Sequence, residues 1–262
     1  MQEWHQFLQN TSNAVIVDHK VMHFGDPAGE LNATSKETVI CDLSHLGLLE
    51  VEGADAVSFL QGQVTNDINL LKDNSGHYTG YCNPKGRLLA LFLAFSHSAH
   101  IYLQMPKELI EPIVKRLRMY VMRSKVVITD VSETVIKLGL SGSNAAELLG
   151  KLFPTIPTQD YELVNSEKGA LIQMPGAIPR YEIFTDPSEA TVIWNALKQH
   201  AKPVGTASWE WLEINAGIPD ITLKTQEEFV PQMLNLDALN AINYKKGCYT
   251  GQEIVARTHY LG

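Results

Sequence analysis

Residues 245–257 read KKGCYTGQEIVAR, a short stretch that combines a lone thiol with two lysines and two glycines. Thr250 and Glu253 have the spacing of a capping box, so the sequence predicts a loop that enters a helix at Thr250. Cys248 would then lie just before a helix N-terminus and beside Lys245 and Lys246, and both the helix dipole and the positive charges stabilise a thiolate. The alternative is a buried, inert cysteine in a tight turn, because cysteines are mostly buried.

Composition limits the function classes that fit this chain. Its 262 residues can bury a substantial core, in one large domain or two smaller ones. A formal net charge of -8 argues against direct nucleic-acid binding, which needs a basic face, so any link to RNA is expected to be indirect. The three cysteines lie far apart without a C-x-x-C pair, which favours a reducing cytoplasm and predicts no zinc site. No secretory signal or membrane-spanning stretch is evident.

Hydrophobic periodicity predicts two successive α+β series. The first contains an almost unbroken apolar run at 88–95, read as a buried strand, and a helix that begins near Pro112. The second contains a helix with a strong start at Asp186. Each series is close to the order of a ferredoxin-like unit. We therefore expect two α+β lobes, residues 1–131 and 132–262, which are intertwined rather than independent.

The 245–257 stretch resembles the K-G-C-Y-x-G-Q-E signature, followed by V-A-R, of the YgfZ family of folate-binding proteins. That family is related to the aminomethyltransferase (T-protein) of the glycine cleavage system. The resemblance covers about residues 40–262 and implies an α+β fold of the T-protein type, with two ferredoxin-like lobes. It also implies that the family's usual C-terminal β-barrel is absent from this chain. Further matching segments lie at residues 53–65, 83–87, 216–219 and 229–232.

The resemblance implies tetrahydrofolate or a folate derivative as the ligand. Trp209 falls where the family places a folate-contacting tryptophan, and it is expected to border a cavity between the lobes; the alternative is plain core packing. Leu46 stands where a second family tryptophan is expected. Asn215 replaces the usual glutamate, and an amide offers fewer acceptor atoms than a carboxylate. We therefore expect pterin binding to be weakened by about 1 to 3 kcal/mol.

Residues 83–91 resemble the transferase segment that ends in two aspartates, one of which aminomethyl transfer needs. The corresponding residues here are Ala90 and Leu91, and neither exchanges a proton with an amine. Aminomethyl transfer is therefore not expected. No P-loop, G-x-S-x-G or H-E-x-x-H motif points to another class of enzyme.

The resemblance implies a cytoplasmic, folate-binding accessory protein that supports iron–sulfur cluster assembly or repair in client enzymes, including enzymes that thiomethylate tRNA. Its expected partners are folate and iron–sulfur client or assembly proteins, with no membrane and no resident metal. Two alternatives stay open, namely a tetrahydrofolate-dependent aminomethyltransferase-like enzyme and a scaffold that binds no folate. Cys248 is the expected functional thiol, and the supporting signature residues are Lys246, Gly247, Tyr249, Gly251, Gln252, Glu253 and Arg257.

Overall fold

The computed structural model describes residues 1–72 and 74–261. Its helices are α1 (Gln2–Ser12), α2 (Pro27–Thr34), α3 (Ala56–Gln61), α4 (Ile110–Val121), α5 (Ala145–Gly150), α6 (Pro187–Leu197), α7 (Thr206–Asn215) and α8 (Gln252–Leu261). Its strands are β1 (Val15–Val17), β2 (Lys20–His23), β3 (Val39–Asp42), β4 (Leu46–Glu52), β5 (Gly76–Cys82), β6 (Leu88–His97), β7 (His100–Pro106), β8 (Val127–Asp130), β9 (Ile136–Ser141), β10 (Leu163–Ser166), β11 (Gly169–Met174), β12 (Arg180–Thr185) and β13 (Lys202–Val204).

The chain forms two compact units, each built from two separate segments. Unit 1 comprises Met1–Leu46 and Ser132–Ile218, and unit 2 comprises Gly47–Val131 and Pro219–Gly262. The chain passes from one unit to the other after residues 46, 131 and 218. The sequence-based boundary lies after residue 131, and the other two points were not predicted. Strand pairing explains the first segment of unit 1, because β3 lies between β9 and β13 in one sheet.

Unit 1 is organised by a six-stranded sheet in the order β10-β11-β12-β9-β3-β13. The series β9-α5-β11-β12-α6-β13 follows the β-α-β-β-α-β order of a ferredoxin-like unit, and β10 extends the sheet at its edge. The inserted β3 pairs antiparallel with β9 and parallel with β13. Helix α6 starts as predicted, since Asp186 accepts hydrogen bonds from the N–H groups of Ser188 and Glu189, and Pro187 is its first residue.

The two faces of this sheet carry different cores. One face packs with α1 and α6 around a large apolar cluster that includes Leu140, Ile183 and Trp194. The other face carries a smaller cluster around Trp209 of α7. Alternation along β12 turns Tyr181 and Ile183 toward the large cluster, and it places charged side chains of the same strand on the opposite face.

Unit 2 is organised by a five-stranded sheet in the order β5-β6-β7-β4-β8. The series β4-α3-β6-β7-α4-β8 repeats the β-α-β-β-α-β order, with β5 as the added edge strand. Strand β6 is buried at every residue except His97, which confirms the buried strand predicted from the apolar run. The later segment joins this unit through backbone bonds of Leu88, which donates to the Phe229 carbonyl and accepts from the Glu227 N–H, both at 2.8 Å.

Both units therefore confirm the predicted α+β class with two ferredoxin-like lobes. Across the described ranges, no helix is both long enough and apolar enough to cross a membrane.

Candidate functional site

The signature loop, defined as residues 245–251, leads into α8 in unit 2. The Val255 N–H donates to the Gly251 carbonyl at 3.3 Å, so Gly251 occupies the cap position and the cap predicted at Thr250 is one residue too early. Gly251 has a φ of 84°, and a Cβ at this position would lie 2.5 Å from the Asn83 carbonyl oxygen. Glycine is therefore required here for both its backbone angle and its close approach.

The turn that faces Gly251 is formed by residues 83–87. The Asn83 side-chain oxygen accepts the backbone N–H groups of Lys85 at 2.9 Å and Arg87 at 3.1 Å. The Arg87 guanidinium donates to the carbonyls of Glu227 at 3.2 Å and Glu228 at 2.6 Å. This turn is therefore fixed internally and to the segment before the signature loop.

Lys246 anchors the loop from inside unit 2. Its ammonium donates to the backbone carbonyls of Gln61 at 2.8 Å, Val64 at 2.5 Å and Asn66 at 2.8 Å, so each of its three N–H groups has an acceptor. Burial lowers its pKa to about 8, and the nearby Asp67 carboxylate opposes that shift. The Lys246 ammonium, which the sequence places beside Cys248, is thus bonded to carbonyls at and beyond the end of α3.

Cys248 is the accessible thiol of this chain. Its side chain is exposed, whereas Cys41 and Cys82 are buried. Burial raises the pKa of both buried thiols, that of Cys82 to about 12. The structure therefore excludes the alternative of a buried Cys248, and Cys248 is the thiol best placed to meet another molecule.

The other signature residues divide into a buried and an exposed group. Tyr249 is buried, and its ring centroid lies 5.0 Å from the Lys246 ammonium nitrogen, within reach of a cation–π interaction. Gln252 is half-buried, and its backbone N–H donates to the Tyr249 carbonyl at 3.2 Å. Gly247, Glu253 and Arg257 are exposed.

A polar network that sequence reasoning missed holds α8 in place. The Gln232 amide donates to the Tyr244 hydroxyl at 3.0 Å and to the Val255 carbonyl at 2.8 Å. Tyr244 in turn donates to Asp237 at 2.6 Å. His259 stacks on the Tyr244 ring at 3.8 Å. The sequence signal was the matching segment 229–232, which contains Gln232 but does not reveal its partners.

Ala90 and Leu91 lie on β6, where both side chains are buried. They pair in register with Tyr81 and Gly80 of β5. Neither position supplies a group that can exchange a proton. Within residues 1–72 and 74–261, no group of three or more His, Cys, Asp or Glu side chains is arranged to hold a metal ion.

Two of the residues assigned to folate by resemblance share a cluster in unit 1. Trp209 is fully buried and packs with Leu46. Its ring fills the space beside Gly139, where a Cβ would lie 2.5 Å from the indole. Asn215 is exposed and donates to the Trp211 carbonyl at 2.7 Å, about 9 Å along the helix axis from Trp209.

Arg180 of β12 is the other notable residue near Trp209, and sequence reasoning did not single it out. Its guanidinium carbon lies 5.6 Å from the Trp209 ring centroid, and its Nε donates to the Pro175 carbonyl at 2.8 Å. Among the described residues, neither terminal guanidinium nitrogen has a hydrogen-bond partner, and the same holds for the Trp209 indole nitrogen. Arg180 and Trp209 therefore provide unit 1 with buried N–H donors that have no acceptor among the described residues.

The fold of this chain is shared with a known family of proteins. The GCVT N-terminal domain family matches residues 6–246. A solved structure of the glycine cleavage system aminomethyltransferase T from Bartonella henselae superposes with a TM-score of 0.84, covering 99% of this chain and 74% of that chain. At 17% sequence identity this likeness shows the fold, which is that of the GCVT-domain proteins.

Relatives with higher sequence identity identify the family within the GCVT-domain proteins. The tRNA-modifying protein YgfZ of Colwellia psychrerythraea is 37% identical over 86% of this chain and 69% of its own length. The proteins of that name from Hamiltonella defensa and Escherichia coli are 35% and 32% identical, each over 84% of this chain. The chain therefore belongs to the YgfZ family, and it spans about two thirds of the length of these relatives, 66% and 67% for the latter two.

Proposed function

We propose that this chain is a cytoplasmic, folate-binding accessory protein that supports iron–sulfur cluster assembly or repair in client enzymes, including enzymes that thiomethylate tRNA. The observation that carries the proposal is the exposure of Cys248 on a loop that the buried side chain of Lys246 anchors. A fixed loop presents the thiol in one place, and the two other cysteines are buried. Folate and iron–sulfur client or assembly proteins are the proposed partners.

The proposed role of Cys248 is transient. A thiolate is the form of cysteine that binds iron or attacks a disulfide. Iron–sulfur clusters normally take several cysteine ligands, and neither buried thiol accompanies Cys248 at the surface. Contact with a client's cluster, or thiol exchange with a client, therefore fits the site better than a resident cluster.

We expect Cys248→Ser to abolish the support of iron–sulfur enzymes in cells that lack the native protein. Serine keeps the size of the side chain but does not form a thiolate at neutral pH, so the fold is retained while the chemistry is lost. The measurement is the activity of an iron–sulfur enzyme at matched protein levels, with Lys36→Ser at an exposed position outside the signature as the control. Unchanged activity of the Cys248→Ser cells would remove the thiol from the proposal.

Trp209, Leu46 and Asn215 are proposed to contribute to the folate site, and Arg180 joins them here. The uncommitted donors of Arg180 and Trp209 suit acceptor atoms such as the ring nitrogens and carbonyl of a pterin. Folate would supply a one-carbon carrier or a regulatory ligand, and these residues would bind and orient it. Because Trp209 is fully buried, its proposed part is to support the ligand edge rather than to offer an open ring face.

Asn215→Glu is expected to tighten tetrahydrofolate binding by about 5- to 150-fold, the equivalent of about 1 to 3 kcal/mol. A carboxylate supplies two acceptors and a charge where the amide supplies one acceptor. Binding is followed by isothermal titration calorimetry, and Asn195→Glu on α6 is a control amide substitution in unit 1. Equal or weaker affinity of the Asn215→Glu protein would show that residue 215 does not face the pterin.

The aminomethyltransferase alternative requires an acid in the region where Ala90 and Leu91 are buried among apolar residues. No described feature of β6 supplies one. Tetrahydrofolate-dependent turnover of an aminomethyl donor would favour that alternative over the accessory role.

A further inference from the structure

Helix α4, after Glu111 in its first turn, and the residues that follow it carry a basic surface on an acidic protein. Residues 112–129 contain five of the chain's 21 lysines and arginines and no aspartate or glutamate, although the whole chain has a net charge of -8. Two of these cations make internal bonds, since Arg118 donates to the Ile128 carbonyl at 2.7 Å and Arg116 to the Tyr81 hydroxyl. Lys115, Arg123 and Lys125 are exposed.

Exposed apolar side chains are interleaved with these cations. Met119, one helical turn after Lys115, is 63% exposed, and Met122 is 87% exposed. Met122 adopts a φ of 44° at the end of α4, a region that residues other than glycine rarely occupy. The buried side of the helix, with Ile113 and Leu117, already supplies its packing on the sheet. These methionines are therefore not required to complete the core of unit 2.

A cavity of about 270 Å³ opens beside this helix. Its apolar lining includes Leu89, Ile113 and Met119, and its charged lining consists of Lys115, Arg116 and the single acid Glu227. The cavity is large enough for an apolar side chain of a partner. Lys115 lines the same cavity, so its ammonium can pair with a carboxylate of the partner next to that side chain. Methionine suits such a surface because its flexible thioether adapts to the shape of a partner.

We propose that Lys115, Met119, Met122, Arg123 and Lys125, here called the basic helix surface, bind an acidic amphipathic segment of a partner protein. The segment would place an apolar side chain in the cavity and carboxylates against the lysines and arginine. Charge complementarity carries the choice of occupant. A nucleic acid fits less well, because its phosphates would leave the methionine side chains exposed to solvent. The net negative charge of the protein would also repel a long polyanion.

The test uses a fluorescein-labelled helical peptide of about 16 residues in which leucines at helical spacing form one face and glutamates the other. Fluorescence anisotropy measures its binding to the full chain. Comparison probes are a scrambled peptide of the same composition, polyglutamate and a single-stranded RNA of the same length. The proposal expects the amphipathic peptide to bind most tightly, with an affinity that falls as salt rises.

Two variants separate the contributions of charge and apolar surface. Lys115→Glu/Arg123→Glu is expected to weaken peptide binding at least about tenfold, and Met119→Ser/Met122→Ser by about fivefold. The control Lys36→Glu/Lys224→Glu makes the same charge change at exposed lysines elsewhere and is expected to bind within about twofold of the native chain. Thermal unfolding of each variant shows whether the fold is kept.

Four outcomes would overturn the inference. They are the absence of peptide binding, equal weakening by the Lys36→Glu/Lys224→Glu control, tighter binding of the RNA than of the peptide, and self-association of the chain that the methionine variant abolishes. The last outcome would make a second copy the occupant. Because the basic helix surface includes neither Cys248 nor any proposed folate residue, the result does not depend on the proposed function.

Discussion

Replacement of Lys246 by methionine is expected to lower the free energy of unfolding by about 3 to 5 kcal/mol. Methionine has a similar length but no donor, so the carbonyls of Gln61, Val64 and Asn66 would lose the ammonium that they share. The cation–π contact with Tyr249 would be lost as well. Unsatisfied acceptors in a buried site carry their full desolvation cost, which makes this the largest single effect expected in the signature loop.

The measurement is urea unfolding, followed by far-UV circular dichroism for the whole chain and by tryptophan fluorescence for unit 1, which contains all four tryptophans. The matched control is Lys245→Met, an exposed neighbour in the same loop, whose effect is expected to stay within about 0.5 kcal/mol. Equal effects of the two substitutions would show that the three carbonyl contacts add nothing to stability.

The pH dependence of stability tests the burial of the same ammonium. The pKa of Lys246 is about 8 in the folded chain. It returns to about 10.4 on unfolding. Between these values the unfolded chain binds more protons, so the contribution of Lys246 to the free energy of unfolding rises with pH across this window. The stability gap between the native chain and the Lys246→Met variant is therefore expected to widen from about pH 8 to about pH 10. A gap that narrows over this range would show that the folded chain raises the pKa of Lys246 instead of lowering it.

Local patterns in the sequence were sufficient to predict several individual elements. The apolar run at 88–95 became β6, and Asp186 caps α6. These features depend on neighbours within a few residues, which is the range over which periodicity and capping act. The two-unit division was harder, because β3 joins β9 and β13 across about 95 and 160 residues of chain, and no local pattern encodes such pairing.

The candidate site shows the same limit. The signature identified Cys248 and its neighbours, and the structure exposes that thiol. Lys246 donates to backbone carbonyls, and because every residue type carries one, such partners are unmarked in a sequence. The sequence therefore suggested only a positive charge near the thiol and did not predict that Lys246 anchors the loop. Core packing was the alternative considered for Trp209, and its complete burial depends on Gly139 of a distant strand, which no local pattern reveals.

The two glycines of the signature loop are expected to differ sharply in their tolerance of alanine. Gly251→Ala should cost about 2 to 5 kcal/mol, because L-residues rarely adopt its φ of 84° and the new Cβ would meet backbone atoms of Asn83 and Gly86. Those atoms belong to a turn that is held by its own hydrogen bonds, so the clash cannot be relieved by rotating a side chain.

Gly247 supplies the matched comparison, because it is exposed and a Cβ at this position would have nothing within 4 Å. Gly247→Ala is therefore expected to change the free energy of unfolding by no more than about 1 kcal/mol, measured by the same urea unfolding. Equal costs for the two alanines would refute the steric assignment of Gly251. If Gly247→Ala folds normally yet fails to support iron–sulfur enzymes in cells, the fold does not explain the glycine, and its missing side chain then serves the approach of a partner to the neighbouring Cys248.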